Sequence, residues 1–212
     1  MIAPMDRMTR LGVSAGLVLA ASVGSFLLAR GVRKPYSVEA PAFRRLGPAD
    51  AKIKIVEFSD FECPACRYAE GPLRQILQQY EGKVHLTFKH YPLERMHEFA
   101  RRGAVAAECA GLQGKFWEFH HSLYDHQSDW TDEKRVEERL ASYVKENKLD
   151  AAAFAACRKD PKADAAVSAD LKDGTAAWVN GTPTFFINGK RFVGGKDLAE
   201  RGVPHIDKEL KK

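Results

Sequence analysis

The amino-acid sequence predicts an α/β fold in which a block of helices interrupts a small sheet. Its 212 residues are 45% hydrophobic and 29% charged, which suits one good-sized globular domain and excludes both a disordered chain and a multi-span membrane protein. The order of elements is the second observation: strand, helix and strand, then helical periodicity from about 97 to 178, then a hairpin and a helix. The third is a CxxC motif between the first strand and the first helix.

The strands and the two outer helices are predicted by local patterns. Residues 52–58 and 84–90 are rich in β-branched and apolar side chains and predict two strands. Residues 64–80 place apolar side chains at helical spacing and predict the helix between them. Residues 183–188 and 190–193 predict a hairpin through Asn188-Gly189, and a last helix is expected to end near Lys211.

The helical block predicts five helices, at residues 98–112, 116–126, 131–147, 150–158 and 161–179. Thr131 and Asp150 are the expected N-caps of the third and fourth helices, and Pro161 suits the first turn of the fifth. We find no internal repeat in this block or elsewhere in the sequence.

The N-terminal segment predicts export or membrane anchoring. Residues 11–29 carry no charge over nineteen positions, and a helix of that length spans roughly 28 Å, which matches the hydrocarbon core. A retained anchor is favoured because cleavable apolar regions are usually about 7–15 residues long, although Ala20 and Ala21 leave a cleaved signal open. We therefore divide the chain into an anchor (1–34), a linker (35–50) and a folded domain (51–212), the linker leaving no room for a dimerisation module.

The net charge of +5 comes mainly from that segment. Residues 1–34 hold five basic side chains and one acid, so the rest of the chain holds 28 basic residues against 27 acids. A nearly neutral domain gives no sign of a phosphate-binding surface, so no nucleic-acid partner is expected.

Cys63 and Cys66 form the motif that carries the chemistry. A thiol at a helix start meets unpaired backbone N–H groups and the positive end of the helix dipole, which favour the reactive thiolate. A structural zinc site would need a second pair of ligands, whereas Cys109 and Cys157 lie singly, 48 residues apart. The pattern therefore favours a redox pair over a zinc half-site or two core cysteines.

The residues around this motif resemble the DsbA family of thiol:disulfide oxidoreductases. Residues 55–66 (IVEFSDFECPAC) look like the family's active site, and residues 180–184 (NGTPT) are similar to its X-Pro loop. Residues 91–93 (YPL) and 114–117 (GKFW) agree with it. The resemblance covers about residues 40–210. It implies a thioredoxin fold with a helical insertion, about residues 97–178, between the second strand and the cis-Pro strand.

The resemblance also implies the substrate-binding residues. Pro183 is expected to be cis and to face the active-site sulfurs, although an ordinary trans proline at a strand start is the alternative. The backbone of Thr182 would then pair with an extended substrate peptide whose cysteine meets Cys63. Pro64 and Ala65, between the two cysteines, complete the expected substrate-binding set.

Glu57 is the candidate for moving protons. It lies among apolar residues of the first strand, and the resemblance implies a buried acid that relays protons at Cys66. A solvent-facing strand position is the alternative. Lys89 on the second strand is a weaker candidate partner for Glu57. Acids at Asp60 and Glu62 would slightly oppose thiolate formation.

The remaining cysteines and histidines are expected to be structural. In an oxidising compartment Cys109 and Cys157 would pair, and closing such a loop is worth about 4 kcal/mol in the chain-entropy model, against the alternative of free buried thiols. His120, His121 and His126 fall on one helix, where a solvated helix face is favoured over a metal site. Neither a metal nor a cofactor is expected.

The sequence thus predicts an anchored, extracytoplasmic enzyme, a monomer, that oxidises exported cysteine-containing proteins. A substrate thiolate would attack Cys63, and a second would release Cys63 as a good leaving group. A membrane quinone-linked thiol oxidase, DsbB- or VKOR-like, would reoxidise it. The alternatives are a reductase or isomerase of the same fold, a copper-binding metallochaperone, and a binding module whose disulfide is structural.

Overall fold

A five-stranded mixed sheet forms the centre of the protein. The computed structural model describes residues 36–212, so the predicted anchor lies outside the described residues. Within that part of the chain, no helix is both long and apolar enough to cross a membrane. The strands are β1 (Arg45–Leu46), β2 (Ile53–Ser59), β3 (Val84–His90), β4 (Thr184–Ile187) and β5 (Lys190–Val193).

The helices fall into three groups along the chain. Helix α1 connects β2 to β3, six helices lie between β3 and β4, and two follow β5 with a π-helical turn between them. Their bounds are α1 (Pro64–Gln79), α2 (Ala100–Gly111), α3 (Phe116–Asp125), α4 (Gln127–Trp130), α5 (Val136–Glu146), α6 (Ala151–Lys159), α7 (Pro161–Ala176), α8 (Gly194–Asp197) and α9 (Val203–Leu210).

The strands lie in the order β1-β3-β2-β4-β5. Only β2 and β3 run parallel, because α1 carries the chain back to the starting edge between them. The hairpin strand β4 pairs antiparallel with β2, so that Glu57 lies opposite Phe185. This arrangement, with the helical insertion between β3 and β4, is the predicted thioredoxin-type fold.

Each face of the sheet has its own apolar core. Helix α1 packs Ala69, Leu73 and Ile76 against Ile53 and Ile55, which lie on one face of β2. The opposite face carries Val56 and Phe58, packed against the chain around α7. Gly174 allows this close approach, since a Cβ there would lie 2.6 Å from the ring of Tyr91.

The predicted N-caps of the insertion give mixed results. Asp150 caps α6 as predicted, by accepting from the amide of Ala153. Pro161 begins α7, also as predicted, and Asp160, which was not predicted as a cap, accepts from the amide of Lys162. The prediction for Thr131 is wrong, since α5 begins only at Val136. The side chain of Asp132 accepts from the amide of Lys134 and stabilises a turn there instead of a helix.

The structure corrects the predicted linker, because part of it belongs to the sheet and the core. Residues 45–46 form edge strand β1, and the side chain of Arg44 is buried. Arg44 Nε lies 2.8 Å from Glu108 Oε1, and its Nη1 pairs with Asp170. His90 Nε2 completes the group at 3.0 Å from Glu108. These buried ion pairs join the segment before β2 to the helical insertion.

Candidate active site

The two cysteines of the CxxC motif lie at the start of α1, as the sequence predicts. Cys63 is the N-cap residue and Pro64 occupies the first turn, where its missing N–H leaves no helical bond unmade. Cys63 is 7% exposed and Cys66 is fully buried. Pro64 and Ala65 are both exposed beside them, which leaves them free to contact a bound peptide.

The two thiols differ strongly in acidity. The pKa of Cys63 is lowered to about 5, chiefly by a hydrogen bond from the Cys66 side chain. Burial opposes this shift, whereas Thr182 and the amides of Cys66 and Ala65 contribute to it. Burial raises the pKa of Cys66 well above its usual value, and the neighbouring Cys63 adds to that rise. Near neutral pH Cys63 is therefore a thiolate and Cys66 a thiol.

The loop before β4 lies against the reactive sulfur. The peptide bond between Thr182 and Pro183 is cis, in agreement with the expectation from the sequence. Cys63 Sγ lies 3.5 Å from the carbonyl oxygen of Thr182. Thr182 is half-buried and Pro183 is buried.

Glu57 is fully buried, so the alternative of a solvent-facing strand position is wrong. Burial raises its pKa to about 7. Among the described residues neither of its carboxylate oxygens has a hydrogen-bond partner. Glu57 shares a strand face with Ile55 and Ser59, and Ile55 packs beneath α1, so the carboxyl group lies on the Cys66 side of the sheet.

Lys89 is not the partner of Glu57. In the β2–β3 register Lys89 lies opposite Phe58, whereas Glu57 lies opposite Phe88. Because neighbouring side chains on a strand point to opposite faces, Lys89 projects from the other side of the sheet. It binds Asp173 there at 2.8 Å.

Asp60 and Glu62 hold the active-site loop, a role the sequence did not indicate. Asp60 is buried and accepts from the amide of Leu93 and from His97 Nδ1, both at 2.8 Å. Glu62 accepts from the amide of Phe99 at 2.8 Å. Both carboxylates therefore join the CxxC loop to the segment after β3, in addition to any charge effect on Cys63.

Gln127 is a second residue that sequence reasoning missed. It is buried in the short helix α4, and its Nε2 donates to the carbonyl of Phe61 at 2.8 Å and to that of Cys63 at 3.0 Å. The pairing fixes the backbone on which Cys63 lies. A glutamine between two aromatic-rich segments gives no local signal of such a contact, because the contact spans 64 residues.

The other two cysteines are joined in the structure. Cys109 of α2 and Cys157 of α6 form a disulfide with a Cα–Cα distance of 5.7 Å. The bridge lies within the helical insertion, and Cys109 belongs to its buried core. The pairing is the one expected from the sequence.

The histidines of α3 do not form the expected solvated face. His120 is 1% exposed and packs among aromatic rings, including those of Phe61, Trp117 and Tyr124. His121 and His126 are exposed. The structure therefore corrects the prediction for His120, which the periodicity of α3 directs towards the sheet together with Phe116 and Tyr124.

A family model described as thioredoxin matches residues 39–202. The chain belongs to this thioredoxin family. It is 35% identical over 174 residues to a probable disulfide bond formation protein D from Bacillus cereus, covering 79% of this chain and 78% of that protein. The predicted likeness to DsbA-type thiol:disulfide oxidoreductases is thereby confirmed.

Solved structures agree on the fold. BdbD from Bacillus subtilis in its oxidised form is 25% identical, with a TM-score of 0.69 over 80% of this chain and 93% of that one. The thiol-disulfide exchange protein alpha-DsbA2 from Wolbachia pipientis is 22% identical, with a TM-score of 0.67 over 79% and 87% of the two chains. Both support a thioredoxin fold of the DsbA type.

Longer relatives also match. A protein named Na(+)/H(+) antiporter NhaA 1 from Mycolicibacterium gilvum is 34% identical over 202 residues. The match covers 90% of this chain but 32% of that protein, and for a similar relative from Salinispora tropica it covers 22%, so the chain spans about a fifth to a third of the length of these relatives.

Proposed function

We propose that this protein introduces disulfides into exported cysteine-containing proteins through the Cys63–Cys66 pair. The observation that carries the proposal is the contrast between the two thiols, one acidic at the helix start and one buried and protonated. A low pKa makes Cys63 a good leaving group and stabilises the reduced enzyme, which favours transfer of the disulfide to a substrate.

The reaction takes place in two exchanges. A substrate thiolate attacks Cys63 Sγ, the Cys63–Cys66 bond breaks, and Cys66 leaves and takes up a proton. A second substrate thiolate attacks the substrate sulfur of the mixed disulfide, and Cys63 leaves as the thiolate. The substrate loses two electrons and gains a disulfide, while the enzyme is left as a dithiol.

Three groups around the sulfurs support these steps. The carbonyl of Thr182 is available to pair with an extended peptide, with Pro64, Ala65 and Pro183 forming the surrounding surface. Glu57, buried on the Cys66 side of the sheet, supplies and removes the proton at Cys66.

The compartment and the electron partner belong to the same proposal. A disulfide such as Cys109–Cys157 persists in oxidising, extracytoplasmic compartments, and residues 11–29 have the length of a membrane anchor. The reduced enzyme then passes its two electrons to a membrane quinone-linked thiol oxidase of the DsbB or VKOR kind. No nucleic-acid partner is proposed, and the enzyme acts as a monomer.

The direction of exchange is tested by equilibrating the protein with glutathione buffers and quantifying the Cys63–Cys66 disulfide by mass spectrometry. An oxidase stays reduced in buffers that would oxidise a reductase such as thioredoxin. If the equilibrium with glutathione shows that the Cys63–Cys66 pair is as strong a reductant as thioredoxin, the proposed oxidase function is contradicted and the reductase alternative is favoured.

The roles of the two thiols are tested with a reduced cysteine peptide as substrate. Cys63→Ser is expected to abolish oxidation of the peptide. Cys66→Ser, given the same peptide in its disulfide form, should instead accumulate a mixed disulfide. The Cys63 thiolate attacks the peptide disulfide, one peptide sulfur leaves as a thiolate, and no internal thiol displaces the other. If Cys66 is alkylated before Cys63 near neutral pH, the assignment is wrong and a structural disulfide becomes the better interpretation.

A further inference from the structure

Three side chains that can carry a proton lie at or beside the active-site helix. They are Glu57 of β2, Glu70 of α1 and His120 of α3. Within residues 36–212, eleven buried side-chain polar atoms lack a hydrogen-bond partner, and five of them belong to these three residues. Unpaired buried polar atoms are costly and uncommon, so such a concentration points to a function beyond packing.

The geometry of α1 places Glu70 between Cys66 and the surface. Cys66, Ala69, Glu70 and Leu73 recur at the spacing of one helix face, and three of them are buried against the sheet. Glu70 therefore lies one turn, about 6 Å of rise, beyond Cys66 on the face that covers Glu57. His120 Nε2 is 3.7 Å from Glu70 Oε1, which is too long for a direct hydrogen bond.

Glu70 also opens onto a cleft between α1 and α3. The cleft has a volume of about 350 Å³, and its lining includes Glu70, Arg74, Trp117 and His121. The side chain of Glu70 is 14% exposed, whereas Glu57 behind it is fully buried. Because Glu70 is partly exposed in this cleft, it lies between solvent and the buried acid.

The charges facing Glu70 come from three elements. Burial, the charge of Glu57 and the charge of Asp125 together raise the pKa of Glu70 to about 9, against the opposing effect of Arg74. Burial also lowers the pKa of His120 well below its usual value, so that ring is neutral. His121, exposed at the mouth of the cleft, has a pKa lowered by partial desolvation and by Arg74. Two acids with pKa values raised to about 7 and about 9 thus interact with one another.

We propose that Glu70 is a second residue of the proton relay, passing protons between the cleft and Glu57. The proposal rests on the function proposed above and deepens it. Glu70 acts through Glu57 and does not touch the sulfurs. Cys66 then gains and loses its proton through the cleft rather than through the surface around Cys63, which a bound substrate covers.

The proton balance closes in both directions. When a substrate thiolate breaks the Cys63–Cys66 bond, the Cys66 thiolate takes a proton from the Glu57 carboxyl group. Glu57 takes a proton from Glu70, and Glu70 takes one from water in the cleft. On reoxidation each transfer reverses, and Cys66 leaves its proton behind as it attacks the mixed disulfide at Cys63.

The test is the rate at which an excess of reduced cysteine peptide reduces the Cys63–Cys66 disulfide, measured by acid quench and mass spectrometry from pH 5 to 9. Glu70→Gln keeps the shape but not the exchangeable proton, and is expected to slow the wild-type rate about tenfold at pH 7 and to alter its pH profile. Because the two acids act in series, Glu57→Gln with Glu70→Gln should be no slower than Glu57→Gln alone. Glu118→Gln, on the same cleft but outside the relay, is the matched control and should keep the wild-type rate.

Chemical rescue separates the relay from a structural role. Added formate fits the space left in Glu70→Ala and should restore its rate, but should leave Glu57→Gln unchanged. If Glu70→Gln exchanges disulfides at the wild-type rate, or formate has no effect on Glu70→Ala, the relay is refuted while the proposed function stands. Failure of the wild type to exchange at all would instead refute the proposed function, and the relay with it.

A bound cation is the competing use of these side chains, since atoms of Glu70, His120 and His121 lie within 4.8 Å of one another. Arg74 beside them argues against it. Equilibrium dialysis of the wild type with zinc decides the point. If the protein binds zinc, loses its rate in EDTA and regains it with zinc alone, the relay proposal is overturned.

Discussion

Cys63 and Cys66 are the same residue type three positions apart, yet their environments give them opposite protonation states. Cys63 caps α1, where the amides of Ala65 and Cys66 and the thiol of Cys66 all point towards its sulfur. Cys66 lies one turn inside the helix, fully buried, with the amide nitrogen of Asp60 3.4 Å from its sulfur. The Cys66 thiol and the amides at the helix start therefore make Cys63 the nucleophile, and burial makes Cys66 its resolving partner.

This assignment predicts how the reactivity of Cys63 depends on pH. In the reduced protein, alkylation of Cys63 by iodoacetamide should reach half its maximal rate near pH 5. In Cys66→Ala the midpoint should rise by about one pH unit or more, because the largest stabilising hydrogen bond is gone. Peptide mapping identifies the modified residue. An unchanged midpoint in Cys66→Ala would show that the helix start alone sets the acidity of Cys63.

The raised pKa of Glu57 predicts that this residue lowers the free energy of unfolding at high pH. Its folded pKa of about 7 lies above the ordinary value of 4.5. The contribution of such a group to stability is fully present when the pH is below its pKa in the unfolded chain. It is lost as the pH rises through its raised pKa in the folded protein. At pH 8, Glu57→Gln should therefore have a free energy of unfolding about 3 kcal/mol higher than the wild type, measured by urea unfolding. At pH 4 the two proteins should differ little. Glu81→Gln, an exposed position after α1, is the matched control and should show no pH-dependent gain.

At the scale of elements, the helical insertion is cross-linked by its own disulfide. The Cys109–Cys157 bridge links α2 to α6, and the loop it closes is worth about 4 kcal/mol in the chain-entropy model. Neither sulfur lies at a helix start, so the bridge has no reason to react with substrates.

The pair of substitutions Cys109→Ala and Cys157→Ala should accordingly lower the melting temperature while leaving the rate of peptide oxidation unchanged. A drop of several degrees is expected for a chain of this size. Mass spectrometry of unreduced wild-type protein should find the two peptides linked. Loss of oxidation in a variant that remains folded would mean that the bridge takes part in turnover.

The elements predicted correctly are those whose signals are local. The strands around Ile55 and Leu86 repeat apolar residues with strand periodicity, and Asp150 and Pro161 mark helix starts within a few residues. The start of α5 was missed at Thr131, because the turn made by Asp132 competes with the helix.

The residues that the sequence did not reveal all depend on contacts between distant segments. Arg44 is buried only because Glu108 and Asp170, 64 and 126 positions later, neutralise it. Gln127 and Glu70 matter through what they face rather than through their neighbours in the chain. Local sequence patterns therefore predicted a linker at residues 35–50 and a solvated helix face at His120. Only the contacts made in the tertiary structure correct these two predictions.

At the scale of the whole molecule, the acidity of Cys63 couples redox state to stability. In the reduced fold its pKa of about 5 lies below the ordinary value of 9.0. A depressed pKa contributes stability that is fully present above the ordinary value and is lost as pH falls through the folded value. Cys66, raised well above 9.0, stays protonated in both states across this window and adds no slope. The oxidised fold has neither thiol, so the effect belongs to the reduced form alone.

The reduced protein should therefore gain stability relative to the oxidised protein by about 1.4 kcal/mol for each pH unit between pH 5 and pH 8. Urea unfolding of both forms measures the difference, in the Cys109→Ala, Cys157→Ala background so that only the active-site pair changes redox state. Glu57 and Glu70 titrate in both forms and largely cancel in the difference. The reduced Cys63→Ala variant, which lacks the acidic thiol, should lose this slope. A difference between the two forms that stays constant from pH 5 to pH 8 would mean that the Cys63 thiolate does not stabilise the reduced fold, and the physical basis for an oxidising disulfide would be gone.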